Sequence, residues 1–136
     1  MATVVATFVD TSALYALLDE TDARRPGALR WFRDAASARA HLTTHNYVVI
    51  ESAALVHRRL GGEAARTLLS KILQPLEIRF VDENLHRIAS SAYLAAIRRR
   101  PSLVDWVSFE FMRREGITHA FAFDRDFRDQ GFTAVP

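Results

Sequence analysis

Short apolar strands alternating with helices of ten or more residues predict an α/β fold, a three-layer α/β/α sandwich around a short, mostly parallel central sheet. Two further observations carry that reading. Thr3 to Val9 is apolar or β-branched at nearly every position, as in a strand covered on both faces. The 136 residues are 49% hydrophobic with only four prolines and five glycines, which suits one domain, 1–136, and one core rather than two domains and a linker.

The first strand ends at Asp10, and Thr11-Ser12 followed by Ala13 to Leu18 reads as a helix start, making a β-to-α junction. A second helix follows Pro26, which suits a first turn, with Leu29, Phe32 and Ala36 at helical spacing. Ala40 to Thr43 reads as a short strand. Asn46 is placed to cap the next helix, whose apolar face takes Tyr47, Ile50, Ala54 and Leu55 before Gly61-Gly62 stops it. A helix from Glu63 to Leu73 ends before Pro75, Glu77 to Val81 alternates like a strand, and Asp82 caps a helix from about Glu83 to Arg99. After Pro101-Ser102 a helix runs to Arg114 and stops at Gly116. His119 to Phe123 is a compact apolar strand ending at Asp124, and Phe132 to Val135 adds an edge strand. No internal repeat appears.

Composition excludes several classes of function. No apolar stretch approaches the roughly 18 residues that span a bilayer, and no basic residue precedes the first apolar run, so neither a membrane span nor a leader peptide is expected. The absence of cysteine removes disulfides, thiolate zinc sites and cysteine nucleophiles, and fits a cytoplasmic setting. Net charge is only +2, but all of the 18 basic residues except Lys71 are arginines. They cluster at Arg24-Arg25, Arg58-Arg59, Arg98-Arg99-Arg100 and Arg113-Arg114. Affinity for a polyanion therefore depends on where those clusters sit. The five histidines fall in no metal-binding spacing and read as ordinary. There is no Walker loop, dinucleotide-type glycine pattern or nucleophile elbow.

Four acids stand out because each is set among core-type residues: Asp10 after Phe8-Val9, Glu51 after Val48-Val49-Ile50, Asp105 between Val104 and Trp106, and Asp124 after Phe121-Ala122-Phe123. In an α/β sheet, ligands bind beyond the carboxyl ends of the strands, where Asp10 and Asp124 fall. Two carboxylates about 4 Å apart at an effective dielectric of about 20 repel by roughly 4 kcal/mol, so a convergent set needs a compensating cation. Mg²⁺ or Mn²⁺, hard ions that take oxygen ligands and act on phosphate esters, would supply it. Each acid also has a structural explanation. Asp10 can cap its helix, Asp105 fits a capping box with Ser102, and Asp124 reads as an Asx-turn residue paired with Arg125 or Arg128. Glu51, on or beside a buried stripe, is the hardest to explain that way. Asp82 also follows a strand, but capping accounts for it.

Taken together, Val9-Asp10-Thr11-Ser12-Ala13-Leu14, Asn46-Tyr47-Val48-Val49-Ile50-Glu51, Ser102-Leu103-Val104-Asp105-Trp106-Val107-Ser108 and Phe121-Ala122-Phe123-Asp124-Arg125-Asp126-Phe127 resemble the PIN domain, and within it the VapC-like toxins of bacterial toxin–antitoxin pairs. The resemblance spans nearly the whole chain. It implies a PIN-like fold and a Mg²⁺- or Mn²⁺-dependent endoribonuclease. Asp10, Glu51, Asp105 and Asp124 match its metal-site and catalytic acids, Thr11, Ser12 and Ser108 its supporting hydroxyls, and Asp126 an auxiliary acid. Trp106 departs from the small residue commoner there and would narrow the pocket mouth. An RNA substrate, a cognate antitoxin and a homodimer are implied as partners. Arg98, Arg99 and Arg100, at a helix end, are candidates for holding RNA phosphates, or else for capping the helix dipole. The competing expectation is a non-catalytic RNA- or protein-binding module that keeps the acids as a structural cation site.

Overall fold

The computed structural model describes residues 5–136. Five strands, β1 (Thr7–Val9), β2 (Leu42–His45), β3 (Leu76–Arg79), β4 (His119–Phe121) and β5 (Thr133–Val135), form one sheet in the order β3-β2-β1-β4-β5. Every pairing is parallel, with Thr7 opposite both Leu42 and His119. Helices α1 (Thr11–Leu18) and α2 (Arg25–Ser37) join β1 to β2; α3 (Asn46–Leu60) and α4 (Gly62–Thr67), the latter running on into a π-helical turn at Leu68–Ile72, join β2 to β3. Helices α5 (Glu83–Ala95) and α6 (Leu103–Glu115) carry the chain back across the sheet to β4, and short α7 (Asp126–Asp129) leads to β5.

Parallel strands need right-handed crossovers, and reversing the direction of travel after β3 moves the helices to the opposite face. The core agrees with that assignment. Phe8, central in β1, packs against Phe111 of α6 and Phe127 of α7, with ring centroids 5.8 and 6.0 Å away. Phe121 of β4 points to the other face and meets Trp31 and Phe32 of α2 at 4.5 and 6.3 Å. Both faces are therefore covered, and the strands are buried with the exception of edge strands β3 and β5. β1 connects towards β2 on one side and β4 towards β5 on the other, so the topological switch point lies between β1 and β4. Asp10 and Asp124 follow those two strands.

Several local expectations are corrected. The first strand is regular from Thr7, and Thr3 and Val4 lie outside the described residues. β2 is Leu42–His45 rather than Ala40 to Thr43. His45, not Asn46, caps α3: its ring accepts from the Val48 N–H, while the Asn46 side chain accepts from the Val81 N–H at 2.8 Å. The buried stripe of α3 is Val48, Ser52 and Val56, and Ile50 is 67% exposed. The buried face therefore lies about one residue, or about 100° around the helix, from the expected one. α5 ends at Ala95, short of Arg99, and β4 ends at Phe121 because Ala122 and Phe123 turn into the loop that carries Asp124. Gly116 ends α6 in the left-handed conformation at φ 67°. Among the described residues, no helix is long and apolar enough to cross a membrane.

Candidate active site

Asp10 opens the site at the end of β1. Its extended backbone caps α1, and its Oδ2 accepts from the Ser12 N–H at 3.1 Å and the Ser12 hydroxyl at 2.7 Å. Ser12 Oγ also accepts from the Phe123 N–H at 3.0 Å, which ties the ends of β1 and β4 together across the switch point. Asp10 Oδ1 has no hydrogen-bond donor among the described residues, although the residue is only 4% exposed. Burial is the largest influence on its pKa, raising it to about 7 against the Ser12 hydrogen bonds, with the charges of Asp105 and Glu51 adding to the rise.

Glu51 comes from the second turn of α3. Thr11, the residue after Asp10, donates its hydroxyl to Glu51 Oε1 at 2.7 Å. Burial raises this pKa too, opposed by the Thr11 bond and reinforced by Asp105. Asp105 sits in the first turn of α6 in a complete capping box: the Ser102 N–H donates to Asp105 Oδ2 at 2.8 Å, and the Asp105 N–H donates to Ser102 Oγ at 3.2 Å. Burial again raises the pKa, and Asp124 adds to it. Ser102→Ala is expected to cost about 1 kcal/mol of stability through the lost cap. Urea denaturation monitored by circular dichroism checks this.

Asp124 makes the Asx-turn, accepting from the Asp126 N–H at 3.0 Å. Asp126 is buried, and Arg100 reaches both acids, at 3.4 Å from Asp124 Oδ1 and 3.1 Å from Asp126 Oδ1. Burial and the neighbouring Asp124 hold the Asp126 pKa up, against Arg100. One carboxylate oxygen from each of Asp105, Asp124 and Asp126 lies within 4.8 Å of the others. The caps named from the sequence are therefore present at Asp10 and Asp105, and Asp124 makes its Asx-turn but pairs with Arg100 rather than with Arg125 or Arg128; the same side chains still converge on one edge. Asp82 behaves differently: it caps α5 and pairs with Arg114 at 2.6 Å, which holds its pKa down to about 2.

Ser108, buried one turn beyond Asp105, donates to the Val104 carbonyl at 3.0 Å and meets His45 Nε2 at 2.9 Å. Trp106 packs edge-on to Phe109 at 5.4 Å and, with Arg99, Arg100 and Arg125, lines a cleft beside Asp126. Sequence reasoning missed the pairing of Arg100 with Asp124 and Asp126 and the placement of His45. For Arg100 no spacing signals the pairing, which depends on the path of the loop between α5 and α6. For His45 the available signal was a polar residue at the end of a buried strand.

The donor set has a consistent chemistry. Among the described residues, no Lys, Arg or His side chain forms an ion pair with Asp10, Glu51 or Asp105; Arg100 pairs with Asp124 and Asp126, and acts on Asp105 only as a more distant charge that lowers its pKa. These three half-buried or buried carboxylates, with Asp105 raising the pKa of both Asp10 and Glu51, offer only oxygen donors, which fits a hard divalent cation. The family model described as "PIN domain" matches residues 7–132. The chain belongs to the PIN domain family. It is 36% identical over 129 residues to the 23S rRNA-specific endonuclease VapC20 of Mycobacterium tuberculosis, in strains CDC 1551 and H37Rv, covering 94% of this chain and 96% of the relative. The crystal structure of M. tuberculosis VapC20, described as a sarcin-ricin loop cleaving toxin, superposes with a TM-score of 0.85 at 34% identity over 96% of this chain and 98% of that one. FitAcB from Neisseria gonorrhoeae (TM-score 0.69, 14% identity, 96% of each chain) and PAE2754 from Pyrobaculum aerophilum (0.67, 20%, 96% of this chain and 90% of that one) share the fold.

Proposed function

We propose that this protein is a metal-dependent endoribonuclease, the toxin of a type II toxin–antitoxin pair, that hydrolyses a phosphodiester bond in RNA of the large ribosomal subunit. The observation that carries the reading is the set Asp10, Glu51 and Asp105, three carboxylates beyond the strand ends that burial pushes towards protonation and that form no ion pair with a cationic side chain among the described residues. The substrate class rests on the 36% identity to VapC20. Asp10 and Asp105 hold Mg²⁺ or Mn²⁺, Glu51 adds a ligand or orients the attacking water, and Asp124 serves a second ion or an outer contact. Bound there, the ion supplies a more acidic water and offsets charge at phosphorus and the leaving oxygen. Ser12 and Thr11 fix the Asp10 and Glu51 carboxylates by the hydrogen bonds described above, Ser108 steadies the helix that carries Asp105, and Asp126 is auxiliary. Arg100 occupies the Asp124–Asp126 side, so RNA phosphates fall chiefly to exposed Arg98 and Arg99.

The reading extends to a cytoplasmic setting, a cognate antitoxin and a homodimer. Ile78 and Phe80 along the β3 edge and Leu94 and Ile97 at the end of α5 leave apolar side chains uncovered, which supports a protein partner. The test is incubation of the purified protein with a ribosomal RNA fragment carrying the sarcin-ricin loop, with Mg²⁺ or Mn²⁺ and with EDTA. Cleavage that requires the metal is expected. Metal binding without cleavage of any RNA would instead mark a non-catalytic module. For Arg98→Ala or Arg99→Ala, each lost phosphate contact is expected to flatten the slope of log affinity against log salt by about 0.7. RNA binding measured by fluorescence anisotropy across a salt series checks this.

A further inference from the structure

Glu51 and Asp105 sit on different helices that approach the site from different directions, α3 after β2 and α6 after the long crossover. One side chain touches both helices. His45, the last residue of β2, is completely buried, with Phe8, Phe111 and Tyr47 around its ring at centroid distances of 5.5, 5.7 and 6.0 Å. Its Nδ1 accepts from the Val48 N–H at 3.3 Å and so caps α3, six residues before Glu51. Its Nε2 lies 2.9 Å from Ser108 Oγ on α6, one turn beyond Asp105. The hydrogen-bond directions follow from counting donors. Nδ1 faces an N–H, so it holds no proton, and the ring proton is on Nε2, donated to Ser108; the Ser108 hydroxyl proton then goes to the Val104 carbonyl at 3.0 Å. Both His45 nitrogens and the Ser108 hydroxyl therefore have partners. Thr44, the residue before, donates to the Val9 carbonyl at 2.8 Å, directly before Asp10.

We infer that His45 is a positioning residue: it bridges the α3 N-terminus and α6 so that Glu51 and Asp105 are held in register with Asp10, and the neighbouring Thr44 fixes the strand end that presents Asp10. This role rests on the metal-dependent reading above. Burial alone would account for a large apolar residue at this position, but not for a ring with both nitrogens matched to groups on two acid-bearing helices. Burial also keeps the imidazole neutral, with its pKa lowered to about 3, so the ring acts as a fixed mount whose tautomer its two partners set.

The test compares wild type with His45→Phe, His45→Gln and Ser108→Ala. His45→Phe keeps the aromatic packing and removes both hydrogen bonds, whereas His45→Gln returns an amide N–H near the Nε2 position. Mn²⁺ affinity is read by calorimetry on protein without RNA, kcat and KM by cleavage of the ribosomal RNA fragment, and folding by circular dichroism. For His45→Phe and Ser108→Ala the expected result is Mn²⁺ binding weakened, and kcat lowered, by roughly 10-fold or more with KM for RNA unchanged. His45→Gln should recover part of the loss. Long-range ¹H–¹⁵N spectra of metal-free wild type should show the Nε2–H tautomer. Folded variants that bind Mn²⁺ and cut RNA like wild type would overturn the inference, as would an Nδ1–H tautomer. If both His45 variants fail to fold, Ser108→Ala decides by the same criteria. Wild type that neither binds Mn²⁺ nor cuts RNA would instead overturn the proposed function, and the positioning role would fall with it.

Discussion

Asp10→Asn is expected to lower RNA cleavage by about a thousandfold or more while leaving the fold intact. The substitution keeps an oxygen able to accept from the Ser12 N–H and hydroxyl, so the α1 cap and the link to Phe123 survive. It removes one negative charge from an acid placed to hold the cation, and a loss of about 4 kcal/mol in transition-state stabilisation corresponds to about three powers of ten in rate. The same variant has an opposite effect on metal-free stability. Burial raises the Asp10 pKa from 3.8 to about 7, so the folded state favours the protonated acid more than the unfolded chain does. Its contribution to stability is complete below about pH 4 and is lost as pH rises through 7. Asparagine has no proton to lose. In EDTA at pH 8 the variant is therefore expected to be more stable than wild type, by up to about 4 kcal/mol, and the gap should close at pH 4. Urea unfolding at the two pH values, paired with cleavage assays in Mn²⁺, checks both halves. Wild-type cleavage by Asp10→Asn, or a stability difference independent of pH, would show that Asp10 does not hold the role assigned here.

The fold was legible in the chain because the signals that define it are local. The run up to Val9 has the composition of a doubly covered strand, Ser102 and Asp105 spell out a capping box, and Gly116 stops a helix by its own conformational freedom; the cap and the stop are present where the sequence places them, and the strand ends at Val9 as expected although it starts only at Thr7. Boundaries failed where a tertiary contact overrode a local preference. Asn46 is a strong cap by propensity, but the His45 ring, fixed by its contact with Ser108, takes that position, and Asn46 turns instead to the Val81 N–H. The buried stripe is Val48, Ser52 and Val56, with Ile50 in solvent and Glu51 half-buried, so the reasoning that picked Glu51 out as anomalous survives a wrong assignment of its apolar neighbours. The acids could be named one by one because a carboxylate among core residues is conspicuous. The arrangement among them could not. That Arg100 is committed to Asp124 and Asp126 while Asp10, Glu51 and Asp105 lack such a partner among the described residues depends on the path of the loop after α5, which no spacing encodes.

That asymmetry ranks the acids and makes Asp105→Asn the second large effect. Asp105 influences Asp10 and Glu51 on one side and lies within 4.8 Å, oxygen to oxygen, of Asp124 and Asp126 on the other, so it belongs to both groups. Asn at this position still accepts from the Ser102 N–H, which preserves the capping box and with it α6. Cleavage should fall by roughly 100- to 1,000-fold, corresponding to about 3–4 kcal/mol, with little change in the unfolding midpoint. Asp126→Asn should cost far less, because Arg100 already balances that charge at 3.1 Å and the group is not one of the three left without a cationic partner. Measured side by side under saturating Mn²⁺, the two variants separate a site centred on Asp10, Glu51 and Asp105 from one centred on Asp105, Asp124 and Asp126. If Asp126→Asn proved as damaging as Asp105→Asn while Glu51→Gln stayed active, the cation would belong on the Arg100 side of Asp105 and the roles given to Glu51 and Asp124 would have to be exchanged.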